Sequence, residues 1–154
     1  MNQQITEQIR LVVDSKNWPL DCNKWPEELQ ESTNCLSFAL GLPISDKDHK
    51  LFNSEEAHIK DELVKFFDIM NLQWREIVNI QDAKDDEFII QGYEFWQIIG
   101  GDDFHVVRRE LNGEWVHKPG WKYVPETIKN LNDLHCHMHP RDITCIFAVK
   151  KSTS

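Results

Sequence analysis

The dipeptide Asn112-Gly113 limits what this chain can fold into more than any other feature. It stands between two runs of strand-forming residues, Phe104 to Leu111 and Glu114 to His117. Asn-Gly between two such runs is a strong hairpin signal. The two runs are therefore expected to pair antiparallel. Strand character continues on both sides. Phe88-Ile89-Ile90 and the run Tyr93 to Ile99 are rich in aromatic and β-branched residues. Gly100-Gly101-Asp102-Asp103 reads as a turn, and Lys118-Pro119-Gly120 as the end of the return strand. Thr144 to Val149 reads as the last strand.

The first half of the chain has a different period. Ile5, Ile9, Leu11, Val12 and Val13 suit a short amphipathic helix over residues 5–15. Asn17 to Pro26 reads as loop, because Trp18-Pro19 and Trp25-Pro26 each push the residue before proline out of helical geometry. Ser32-Thr33-Asn34 then offers three successive helix caps, and Gly41 and Pro43 are stop signals. A short buried helix with Cys35 in its first turn follows from that pattern. Residues 54–70 form the clearest helix, capped by Ser54, with Ile59, Leu63, Phe66, Phe67 and Met70 at helical spacing. Helices first and an antiparallel sheet second make an α+β fold. With 154 residues and no internal repeat, one domain over 1–154 is expected.

Seventeen basic against 26 acidic residues give a formal charge of -9. That balance argues against a general nucleic-acid binder and against adsorption to anionic membranes. No apolar run approaches the roughly 20 residues of a membrane-spanning helix. The four cysteines, Cys22, Cys35, Cys136 and Cys145, include no CxxC pair, so neither a zinc ribbon nor a thioredoxin motif is present. The N-terminal residues lack the basic and apolar regions of a signal peptide. The expectation is a protein cytoplasmic as synthesised, with reduced thiols. Delivery by lysis or by a dedicated secretion machine is compatible with the same sequence.

Cys35 and two histidines carry the chemistry. A thiol at a helix N-terminus meets the positive end of the dipole, which favours the thiolate. Backbone N–H groups there can also hold an oxyanion. His105 begins one strand of the hairpin and His117 ends the other. Antiparallel pairing makes the two imidazoles neighbours, so one can serve as base while the second orients it. A buried inert cysteine and two solvated histidines are the plainer alternative.

The combination resembles the papain-like thiol hydrolases, and is closest to their bacterial NlpC/P60 branch. Asn34-Cys35-Leu36-Ser37-Phe38 matches the family's cysteine segment, an Asp-Cys-Ser-Gly-Phe-like sequence. Asn34 stands where the family has an acidic residue, and Ser37 where it has glycine. His105-Val106-Val107, then Asn112-Gly113, then Val116-His117 matches the family's histidine strand, turn and second histidine. The likeness runs over about residues 30–120. It implies a papain-like fold, with the cysteine helix packed on an antiparallel sheet. It implies Cys35 as nucleophile, its backbone N–H in the oxyanion hole, His105 as general base and then acid, and His117 as the residue orienting His105. The reaction would be acyl transfer at an amide or peptide bond through a thioester, by a peptidase, amidase or deamidase. It needs no cofactor. The substrate would be a peptide, a peptidoglycan stem or a protein, in a bacterial or phage setting.

Three further features are weighed beside that site. Trp115 and Trp121 are candidate walls of a substrate cleft, by stacking. Arg108, beside Arg109, is a candidate partner for a substrate carboxylate. His135, His137 and His139 share one face of an extended segment and form an alternative centre for zinc, nickel or copper. A polar connection before the last strand explains that cluster as well, and no companion cluster completes a structural zinc site. Two other classes therefore stand beside the hydrolase: a non-catalytic protein-binding domain of the same fold, and a metal-binding protein.

Overall fold

The computed structural model describes residues 3–45, 58–97, 101–119, 123–134 and 142–152, with backbone alone at 95–97, 101–103 and 132–133. Among the described residues the α-helices α1 (Gln3–Asp14), α2 (Cys35–Ala39) and α3 (Ile59–Ile69) precede the first strand. Then come β1 (Leu72–Glu76), β2 (Phe88–Gln97), β3 (Gly101–Arg109), β4 (Trp115–His117), β5 (Glu126–Ile128), the short α4 (Leu131–Leu134) and β6 (Ile143–Lys151). The strands form one sheet in the order β1-β6-β2-β3-β4-β5, every pair antiparallel. The fold is α+β. Among the described residues no helix is long and apolar enough to cross a membrane.

Strand alternation gives the sheet two buried faces. On one, Ile90, Val106, Phe147 and Val149 meet Ile5, Ile9 and Val13 of α1, Leu36 and Ala39 of α2, and Leu63, Phe66 and Phe67 of α3. Burying each of the larger of these side chains is worth roughly 1.5–3 kcal/mol. On the other face Ile89, Tyr93, Val107, Trp115, Ile128 and Leu134 form a smaller core. Successive residues on β2 and β3 thus enter different cores.

Several boundaries differ from the sequence expectation. Gly101, Asp102 and Asp103 do not form a turn: they pair with Gln97, Trp96 and Phe95 and extend β3. The strand runs on because β2 supplies partners as far as Gln97. The two apolar runs read as separate strand segments are one strand, β2, carried through Gln91-Gly92. The expected cap Ser54 lies outside the described residues. Helix α3 opens at Ile59, whose N–H donates to the Glu94 carboxylate at 2.7 Å, so a residue of β2 fills the capping role. Strand β1 was not anticipated, because Leu72-Gln-Trp-Arg-Glu76 buries Leu72 alone among its five residues.

Candidate functional site

Helix α2 is short, and its two ends are held differently. At the start, Oδ1 of Asn34 accepts from the N–H groups of Leu36 at 3.0 Å and Ser37 at 2.9 Å. This is a side-chain cap, and it explains why the helix begins at Cys35. It narrows one expectation, because the cap takes the two N–H groups after Cys35 and not that of Cys35 itself. The N–H groups of Leu36 and Ser37 serve the cap and are not open to an oxyanion. At the other end Gly41 takes a φ of 67°, the left-handed conformation that ends helices. Cys35 is 6% exposed.

Arg108 anchors the C-terminal end of α2. It is 1% exposed. Its Nη1 donates to the carbonyl of Phe38 at 2.9 Å, and Nη2 donates to that of Leu20 at 3.2 Å. The Glu110 carboxylate lies 2.6 Å from Nη2 and balances the charge. Every direction of the guanidinium fork is engaged inside the protein. Arg108 is therefore not the substrate-binding residue the sequence suggested; strand alternation turns it onto the face that carries the helices.

Trp115 is likewise corrected. At 9% exposed it packs with Val107 and Ile128 in the smaller core, so it fills the protein rather than walling a cleft. Trp121 lies outside the described residues, as do His135, His137 and His139. Among the described residues no group of three or more histidine, cysteine or acidic side chains is placed to hold a metal ion.

The histidines do come together. Nε2 of His105 lies 2.8 Å from Nδ1 of His117, with the rings edge to face at 88°. Nε2 of His117 lies 2.9 Å from Oε1 of Glu126. The first contact lies beyond the paired residues of the β3–β4 hairpin, and the β4–β5 pair His117↔Glu126 makes the second. Both imidazoles are buried. Burial holds His105 down to about 3, helped by the neighbouring charge of His117. Burial also lowers His117, against the opposing pull of Glu126. Both rings are thus neutral at physiological pH.

Lys118 is a residue that sequence reasoning missed. Its side chain is buried, and Nζ donates to the carbonyl of Thr33 at 2.8 Å, just before α2. Burial pushes its ammonium down to about 8, and negative charge on Cys35 raises it in part. The lysine is therefore a cationic neighbour of the thiol. Glu126 was missed as well; its partner His117 is nine residues away, and only the β4–β5 pairing brings the two together. Cys22 is half-buried, and burial raises Cys145 to about 11, which keeps it an inert thiol.

Cys35 and the histidines approach from different sides of the sheet. Phe104 and Val106, the neighbours of His105, pack into the core that holds α2. His105 itself pairs with Tyr93, a member of the opposite core. The β3–β4 ladder joins Arg108 to Val116 and Arg109 to Trp115, and ends before it reaches His105. A cavity of about 310 Å³ beside the hairpin is lined by Asp21, Cys22, Glu110 and Glu114, and by none of the candidate catalytic residues.

No protein-family model matches this chain, and no curated protein is significantly similar to it.

Proposed function

We propose that the protein is a papain-like thiol hydrolase that cleaves an amide or peptide bond, with Cys35 as nucleophile and His105 as base. The buried contact of His105 with His117 carries this reading, because a neutral, oriented imidazole is what a thiol needs as its partner. Cys35 passes its proton to His105, and the sulfur attacks the carbonyl carbon. His105 returns the proton to the departing amine, leaving a thioester. Water, deprotonated by His105, then releases the acid and regenerates the thiol. His117 holds His105 in place throughout. Lys118 supplies positive charge beside the thiolate. The substrate class is a peptide, a peptidoglycan stem or a protein.

One observation favours a second reading. His105 shares a face with Tyr93, whereas α2 packs on the face of Val106. On that basis the chain would be a protein-binding domain in which Cys35 is a structural thiol and the histidine pair braces β3 against β4.

Acyl capture separates the two. p-Nitrophenyl acetate should acylate Cys35 of the wild type, with release of nitrophenolate and an acetyl group located on Cys35 by mass spectrometry. Turnover should vanish in Cys35→Ala and fall at least about tenfold in His105→Ala, since a general base contributes roughly 10²–10⁴-fold. Acylation that is absent, or that ignores His105, leaves the binding-domain reading.

A further inference from the structure

We infer that Glu126 is a positioning residue that fixes the proton positions along the chain Glu126–His117–His105, leaving Nδ1 of His105 as its unprotonated nitrogen. This deepens the hydrolase reading, on which its catalytic meaning rests, but the proton positions can be measured without any activity.

An ionised carboxylate only accepts hydrogen bonds. Oε1 of Glu126 lies 2.9 Å from Nε2 of His117, so that nitrogen carries the hydrogen and donates. A neutral imidazole holds one N–H and one bare nitrogen. Nδ1 of His117 is therefore bare and accepts. Its partner at 2.8 Å is Nε2 of His105, which must then donate. That donation leaves Nδ1 of His105 bare. One exposed carboxylate thus decides, two hydrogen bonds away, which nitrogen of a buried imidazole is basic. The neutrality of both rings follows from burial, which disfavours their charged forms.

The alternative is specific. A doubly protonated His117 would donate from both nitrogens. Nε2 of His105 would then accept, and its Nδ1 would carry the hydrogen. In that state His105 could not take a proton from a thiol through Nδ1. Glu126 and its position on β5 thus select between a competent and an incompetent base.

The test is a two-bond ¹H–¹⁵N correlation spectrum of the full chain with labelled histidine at neutral pH. His105→Gln and His117→Gln assign the two rings. The expected wild-type result is protonated Nε2 and bare Nδ1 on both imidazoles. In Glu126→Ala the acceptor is lost, and the Nδ1 signal of His105 should shift toward the protonated range as both tautomers populate. Nδ1–H on His105 in the wild type, or wild-type shifts retained in Glu126→Ala, would overturn the inference. If Glu126→Ala does not fold, the wild-type spectrum alone decides it. Intact tautomers in a protein whose Cys35 resists acylation would refute the hydrolase reading and leave this assignment standing.

Discussion

Nη1 of Arg108 donates to the carbonyl of Phe38 at 2.9 Å and so ties β3 to the end of the cysteine helix across 70 residues. The helix is only five residues long, too short to persist on its own. Its placement depends on this anchor and on Lys118 at its other end. Removing Arg108 strands the Glu110 carboxylate and the Phe38 and Leu20 carbonyls. Arg108→Ala should cost about 3–5 kcal/mol, the range for breaking a buried ion pair. Urea unfolding measures this. Arg108→Lys should restore little of it, because a point charge cannot reproduce the fork.

Lys118 makes a narrower contribution. Lys118→Met keeps the apolar stem and leaves the Thr33 carbonyl without its donor. The expected loss is about 1–3 kcal/mol by chemical denaturation. Thr33 is itself fully buried, so water has little access to the vacated carbonyl. A neutral effect would show that the segment before α2 holds its position without the lysine.

The pH dependence of stability has a definite sign. His105 is held at about 3 in the folded protein, against an ordinary histidine value of 6.5. Between these values the unfolded chain binds a proton that the folded one refuses. Stability is therefore complete above about pH 6.5 and falls as the pH drops toward 3. His117, also lowered, acts in the same direction. Urea midpoints across this range should decline in the wild type and decline less steeply in His105→Gln.

Gly41 ends α2 in a conformation that other residues resist. A Cβ there would stand 2.8 Å from Cβ of Pro19 and 2.9 Å from Nε1 of Trp18, whose indole donates to the Leu40 carbonyl at 3.0 Å. Gly41→Ala should lose at least about 1 kcal/mol in thermal unfolding. The Trp18 fluorescence should change with it, since the alanine must displace that ring.

What the sequence revealed was local in character. The Asn112-Gly113 turn and the run of caps before Cys35 depend on neighbouring residues, so the hairpin, the histidine contact and the start of α2 could be read directly. Side-chain direction beyond the hairpin could not. Arg108 and Arg109 are adjacent on one strand, and only the packing of α2 decides that Arg108 is the one engaged with the helix. Trp115 has the composition of a binding surface, yet its strand turns it into a core formed with Ile128. Glu126 and Lys118 became visible only when β5 and α2 were placed against β4. Leu72–Glu76 is a short strand at the sheet edge, where Leu72 is buried and Trp74 packs in part against the core, so its pattern is too brief to read.

The central claim is that Cys35 is an activated thiol whose partner is His105. The most direct measurement is the rate of Cys35 alkylation by iodoacetamide from pH 4 to 9, resolved by site with mass spectrometry, in the wild type, His105→Ala and His117→Ala. The account predicts that near neutral pH Cys35 is alkylated faster than an ordinary thiol of pKa about 8.5, and that the rate falls when His105 is removed. A Cys35 that stays inert, or that reacts identically without His105, would contradict it.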